Sequence, residues 1–183
     1  MAMTTTVCEF GWKAVDFQLL SVDGKFYSLQ DIQGEKGTLV IFLCNHCPYV
    51  KAIIGKLVAD CAEIQSAGIG VAAISANDAT TYPADSFENM QLFASKNGFG
   101  FPYLYDEPQA TAQAYDAICT PDFFGFNRDM QLQYRGRFDS SGSDFSAPSS
   151  TRELREAMIQ IAETGRGPAE QTASIGCSIK WRD

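Results

Sequence analysis

One histidine in 183 residues is the scarcest element of this chain. A histidine-rich metal site is therefore excluded, and a Ser-His-Asp arrangement could be built only around His46. Basic residues are also few, 14 against 22 acidic, for a formal charge of −8. Such a field repels polyphosphate, so no nucleic-acid partner is expected. No stretch approaches the roughly 20 apolar residues that span a bilayer, so no membrane partner is expected either. Met1 to Cys8 carries neither a basic cluster nor an apolar run, which gives no sign of a signal peptide and makes the cytoplasm the expected location.

What remains is an ordinary globular composition, 45% hydrophobic and 20% charged. A chain of this length buries roughly 70% of its extended surface and folds as one domain without staples. Against that background, six cysteines stand out. In a reducing compartment, cysteines serve catalysis, metal binding or packing more often than structural disulfides.

Periodicity sets the order of elements. Asp16 to Leu20 and Lys25 to Ser28 read as two short strands around the turn Val22-Asp23-Gly24. Thr38 to Leu43 is a continuous apolar run, the signature of a buried central strand. Pro48 fits the first turn of a helix, and Val50, Ile53, Ile54, Leu57, Val58, Cys61 and Ile64 then form one apolar stripe ending near Gly68. Ile69 to Ser75 is a strand, Asp78 to Ser86 a loop, and Phe87 to Lys96 a helix stopped at Asn97-Gly98. A strand at Pro102 to Tyr105 and a helix at Gln109 to Tyr115 follow. Asp122 to Phe126 and Leu132 to Phe138 are joined by a short turn and must be antiparallel. Asp139 to Ser150 reads as an exposed loop, and Thr151 as the cap of a last helix running to about Glu163. Gly165 to Asp183 is a tail without a clear pattern. The alternation predicts an α/β fold with a parallel core sheet and helices on both faces.

The strongest local signal is Leu43-Cys44-Asn45-His46-Cys47-Pro48-Tyr49, where a buried strand gives way to a helix. Open α/β sheets place their ligands at such junctions. Unpaired N–H groups and the macrodipole stabilise a thiolate there, and such cysteines have pKa values lowered to roughly 3.5–7.5. Cys47, just before Pro48, holds that place better than Cys44 at the strand end. His46 could add positive charge beside the thiol when protonated. The plainer alternative packs Cys44 in the core and leaves Cys47 inert.

These residues, with Ala14-Val15-Asp16-Phe17, Val22-Asp23-Gly24-Lys25, Asn77-Asp78, Phe101 to Glu107, Cys119 to Phe124 and Ser174 to Trp181, give the chain its resemblance. It resembles the thioredoxin-like superfamily, in particular the peroxiredoxin-like group of the alkyl-hydroperoxide-reductase/thiol-specific-antioxidant class. The resemblance implies a single thioredoxin-like domain, with a mixed central sheet flanked by helices, an N-terminal β-hairpin and a C-terminal tail; its core spans about residues 14–164. It also implies that Cys47 matches the nucleophilic first cysteine of thioredoxins. Val50 then replaces the second, and Ile41 stands where many thioredoxins keep a buried acid. Cys44 stands where peroxiredoxins keep a threonine. Neither standard mechanism transfers intact. Thr120-Pro121 matches the cis-proline that thioredoxin-like folds set beside the nucleophile, where the preceding backbone can pair with an extended substrate. An X-Pro bond accepts cis at a cost of about 0.5–1 kcal/mol; the alternative is a trans proline opening a strand.

The expected function is that of a thiol-disulfide oxidoreductase with Cys47 attacking a substrate disulfide. Cys44 is the first choice of resolving thiol and Cys177, in the tail, the second, with Thr120, Pro121 and His46 on the substrate side. A peroxidase passing through a Cys47 sulfenic acid is the second reading, and a redox sensor or binding protein without turnover the third. The partners expected are a disulfide or peroxide substrate and a thiol electron donor. No cofactor is expected, and no metal, because adjacent His46 and Cys47 would not easily aim at one ion together with Cys44 and Cys177. Cys119 lies near the site, its side chain facing either Cys47 or the core, Cys61 is buried on its helix stripe, and Cys8 precedes the folded region as a bystander.

Overall fold

A computed structural model describes residues 1–141 and 151–182. Ten strands and five helices follow one another along these residues: β1 (Ala2–Thr4), β2 (Gln18–Ser21), β3 (Phe26–Ser28), α1 (Leu29–Ile32), β4 (Gly37–Phe42), α2 (Pro48–Ser66), β5 (Ile69–Ser75), α3 (Phe87–Asn97), β6 (Tyr103–Tyr105), α4 (Ala110–Ala114), β7 (Cys119–Thr120), β8 (Asp122–Asn127), β9 (Leu132–Tyr134), α5 (Glu153–Thr164) and β10 (Ile175–Ser178). Among these residues no helix is long and apolar enough to cross a membrane.

Seven strands form one mixed sheet in the order β3-β2-β6-β5-β4-β8-β9. β4 runs parallel to β5, and β5 to β6. The hairpin β2–β3 and the pair β8–β9 close the two sides antiparallel. The apolar run Leu39 to Phe42 is buried from end to end because helices and aromatic side chains cover both faces of β4. Period-2 alternation splits it. Leu39 and Ile41 pack with the stripes of α2 and α5, including Val50, Leu57, Leu154 and Met158. Val40 and Phe42 pack on the opposite face with Tyr115, Phe124 and Phe126, where Trp12 meets Tyr115 edge-on at 5.3 Å.

The structure shows the expected thioredoxin-like architecture, and element ends move by a few residues. The second hairpin strand ends where Ser28 caps a one-turn helix, α1, through a capping box with Asp31. Ser28 and Asp31, three residues apart, are the local signal of that helix. β9 stops at Tyr134 instead of Phe138 because Arg135 leaves the sheet to bind Asp122, Thr6 and the Asp116 carbonyl. The residue preceding α5 is Arg152, not Thr151, and it makes no side-chain cap; its guanidinium is bound to Asp60 and Glu63 on α2. Of the loop expected over Asp139 to Ser150, residues 142–150 lie outside the described residues.

The chain ends form a second, three-stranded sheet, β1-β10-β7. The tail is therefore docked. Ile175 to Ser178 pairs antiparallel with Ala2 to Thr4 on one side and with Cys119–Thr120 on the other. Cys8 is accordingly no bystander ahead of the fold. It is half-buried against the second core cluster beside Arg135 and Gln171, and burial pushes its thiol up to about 11.

Candidate functional site

Cys47 is the N-cap residue of α2, with Pro48 opening the helix where a missing N–H costs nothing. Its side chain is wholly enclosed, at 0% exposure, and Cys44 is as deep at 1%. Burial alone would raise both thiols. Cys47 nevertheless falls to about 4, above all because the Cys44 thiol donates a hydrogen bond to it. The Val50 backbone N–H in the first turn of α2 and the thiol and backbone of Cys177 act in the same direction. The effect on Cys44 is the mirror image. Its proton is held by the Cys47 thiolate, and enclosure and the field of Asp85 push its pKa far above the usual thiol range.

Thr120 completes the relay. Its hydroxyl oxygen lies 3.3 Å from Cys44 Sγ. With the Cys44 proton turned toward Cys47, the Thr120 hydroxyl is the donor in that pair. Its carbonyl oxygen lies 3.2 Å from Cys47 Sγ and accepts from Cys47 only in the thiol form. The Thr120–Pro121 bond is cis. Cys44 thus stands where the resemblance led to a threonine, and a thiol supplies the hydrogen bond that a hydroxyl would make.

The histidine does something else than its place beside the thiol suggests. His46 Nδ1 is 2.6 Å from Asp85 Oδ2, and its ring stacks on Tyr82 at 5.8 Å with an interplanar angle of 2°. The groups that depress Cys47 are Cys44, Val50 and Cys177. Asp85, fully buried, gathers three donors: the Asn45 backbone N–H at 2.8 Å, Asn77 Nδ2 at 2.7 Å and His46. Asn45 in turn accepts from the Tyr103 hydroxyl at 2.9 Å. Asn77 Oδ1 accepts from the Lys180 N–H of the tail at 2.9 Å. The turn Asn45-His46 and the C-terminal segment are therefore clamped through one carboxylate. In the sequence, Asp85 was only one acid of a polar loop, and nothing local marked it as the anchor.

The remaining cysteines separate by depth. Cys119 is buried with its thiol raised by burial, and its Sγ donates to the Pro121 carbonyl at 3.9 Å. Cys61 lies on the α2 stripe, likewise raised. Cys177 is only half-buried, and burial with the hydrogen bond to Cys47 pushes it up to about 11. Ligand-type atoms of Cys44, His46 and Asp85 come within 4.8 Å of one another. This set brings in Asp85 and leaves out Cys47 and Cys177, and the Asp85 oxygens already accept three N–H donors.

A low-pKa sulfur at a helix N-terminus, beside a cis-proline and two further thiols, is thiol redox geometry, and the AhpC/TSA family model matches residues 10–135. The chain belongs to the AhpC/TSA family. It is similar over its whole length to an uncharacterized conserved protein from Geobacillus kaustophilus, with 42% identity, a TM-score of 0.94 and 97% of that chain covered. A hypothetical protein from Sinorhizobium meliloti 1021 aligns with 34% identity and a TM-score of 0.91, over 100% of this chain and 99% of the other. A peroxidoxin from Mycobacterium tuberculosis shares the fold at 14% identity, with a TM-score of 0.64, covering 87% of this chain and 99% of that one. No curated protein matches the sequence. Family and fold together support a thiol-based redox role for this AhpC/TSA member.

Proposed function

We propose that the protein is a thiol-disulfide oxidoreductase with Cys47 as its attacking sulfur. The observation that carries this reading is the Cys47 side chain itself, at the N-cap of α2 with its Sγ 3.2 Å from the Thr120 carbonyl of the cis Thr120–Pro121 bond, a place that lowers its pKa to about 4. At neutral pH that sulfur is an anion, the form that attacks. Attack on a substrate disulfide forms a bond between Cys47 and one substrate sulfur and releases the other as a thiolate. A second thiol of the chain, Cys44 or Cys177, then attacks Cys47, releasing the first substrate sulfur and leaving an internal disulfide. A thiol donor returns the pair to the reduced state. Of the residues expected on the substrate side, Thr120 meets Cys47 through its carbonyl from a buried position, and His46 is the one that is part-exposed.

A peroxidase is the second reading, supported by the complete enclosure of Cys47, which suits a very small oxidant. There the thiolate attacks one peroxide oxygen and the O–O bond breaks. Hydroxide leaves and takes a proton, and the sulfenic acid condenses with a second thiol, releasing water. The test is exchange between a glutathione pool and hydroxyethyl disulfide, run beside consumption of hydrogen peroxide. The native chain should accelerate the first above buffer, and Cys47→Ser should return it to the buffer rate. Peroxide consumption with a sulfenate trapped at Cys47, and no disulfide exchange, would replace this proposal by the second reading.

A further inference from the structure

A buried thiolate needs a route to its partners, and Cys177, on the strand that pairs with Thr120 beside Cys47, is half-buried where Cys44 and Cys47 are enclosed. Cys44 is as enclosed as Cys47, and its proton is committed to the Cys47 sulfur. Cys177 is half-buried, and it pairs with Thr120, whose carbonyl oxygen lies 3.2 Å from Cys47 Sγ. The backbone places it there. β10 pairs with β7 in the register Cys177↔Thr120 and Ser178↔Cys119, and the Ile179 N–H donates to the Ile118 carbonyl at 3.0 Å. That is the pairing edge an extended polypeptide would need in order to bring a sulfur to Cys47 by adding a strand.

The seating is tight. A Cβ on Gly176 would meet the Thr120 carbonyl oxygen at 2.1 Å and Pro121 N at 3.0 Å, so only glycine lets the strand lie this close. Ser174 Oγ donates to the Pro121 carbonyl at 3.0 Å. The Thr5 N–H donates to the Ser174 carbonyl at 3.0 Å, and β1 covers the outer edge of β10. An incoming chain finds no free strand edge beside Cys177.

We propose that Cys177 is the surface port of the buried Cys47: the docked strand occupies the polypeptide-pairing edge, so the protein exchanges electrons with small thiols and disulfides at the Cys177 sulfur. This rests on the oxidoreductase reading, assigns the second thiol and the substrate class, and changes one step of it: the small molecule meets Cys177 first, and Cys47 attacks the Cys177 sulfur of the mixed disulfide. In the oxidised protein Cys47 and Cys177 share a disulfide. A small thiolate attacks the Cys177 sulfur, the Cys47–Cys177 bond breaks, and Cys47 leaves as the thiolate. The lower-pKa sulfur is the better leaving group, so the cleavage runs in this direction. A second thiolate then attacks the small-molecule sulfur, which departs as a symmetrical small disulfide, and Cys177 takes a proton from solvent. Two electrons pass to the protein and two thiols become one disulfide. The reverse sequence reduces a small disulfide. Cys44 stays reduced throughout as the hydrogen-bond donor to Cys47.

The test oxidises the full chain with hydroxyethyl disulfide, maps the bonds by mass spectrometry, then adds N-acetylcysteine and quenches rapidly with acid. The expected result is a Cys47–Cys177 disulfide, followed by N-acetylcysteine attached to Cys177 while Cys47 is free. Cys177→Ser, which keeps the strand and its pairing, should lose exchange with hydroxyethyl disulfide. Insulin should be reduced about tenfold or more slowly than the small disulfide at matched thiol concentration. A Cys47–Cys44 bond, an adduct on Cys47, or wild-type exchange in Cys177→Ser would overturn the port while leaving Cys47 as nucleophile. Absence of Cys47 from every disulfide would remove the oxidoreductase reading and the port with it.

Discussion

Cys44 and Cys47, three residues apart, meet the same residue: the Thr120 hydroxyl lies 3.3 Å from Cys44 Sγ and the Thr120 carbonyl oxygen 3.2 Å from Cys47 Sγ. The hydrogen bond from Cys44 lowers the pKa of Cys47, and the same bond raises that of Cys44. Two chemically identical side chains are driven in opposite directions by one contact. Cys44 ends the buried strand; Cys47 begins the helix and also receives the Val50 N–H.

Removing that donor should raise the Cys47 pKa. In the native protein, ultraviolet thiolate absorbance should titrate with a midpoint near 4, a range free of the other thiols because burial raises Cys8 and Cys177 to about 11 and Cys61 and Cys119 beyond that. Cys44→Ala should move the midpoint upward. Cys44→Ser, which keeps a hydroxyl donor, should lie between the two. An unchanged midpoint in Cys44→Ala would assign the shift to the helix terminus alone.

Linkage gives this a second readout. The folded pKa of Cys47 lies below its ordinary value of 9.0. Its contribution to stability is therefore complete above pH 9 and is lost as the pH falls through about 4. Relative to Cys47→Ser, the native chain should gain stability in urea melts between these limits as pH rises. Equal slopes for the two proteins would contradict the shifted thiolate.

Asp85→Ala should loosen the turn before α2 and the tail together. It strands the Asn45 N–H, Asn77 Nδ2 and His46 Nδ1, and a buried donor left without its partner costs about 1–3 kcal/mol. Amide hydrogen exchange should speed up at Asn45 and also at Lys180, whose N–H is held by Asn77. Faster exchange at Asn45 alone would break the proposed link between turn and tail.

Arg135 ties the N-terminal segment to the sheet through Thr6. It is 6% exposed and its guanidinium binds Asp122 at 2.9 Å, the Thr6 hydroxyl at 2.6 Å and the Asp116 carbonyl at 2.7 Å. It also lies 4.4 Å above the centre of the Phe124 ring. Arg135→Met leaves the Asp122 carboxyl buried without its partner and should cost about 3–5 kcal/mol in denaturant unfolding. The double change with Asp122→Leu should recover part of that loss.

Gly176→Val should unseat β10, because overpacking against Thr120 and Pro121 costs about 1–3 kcal/mol. Exchange should accelerate at Ile175 to Ser178 while the central strands β4 and β5 keep their protection. Unchanged protection of the tail would mean that the strand is held by its other bonds alone.

The sequence by itself determined the parts whose signals are local. A run such as Leu39 to Phe42 can bury both faces only as a central strand, and the spacing of Val50, Ile53, Leu57, Cys61 and Ile64 admits one helix stripe. Cys47 before Pro48 marked the helix N-terminus, and Thr120-Pro121 the strand beside it. Tertiary structure decided what surrounds that sulfur. Asp85 reaches His46 from 39 residues away, and its carboxylate has no meaning until folding removes the water that would otherwise satisfy it. β1 and β10 escaped the pattern because three- and four-residue strands held by backbone pairing leave no apolar period to read. The place of Cys177 beside Cys47 is set by main-chain hydrogen bonds to Thr120, and these are the same for any side chain, so only the fold could bring the third thiol to the site.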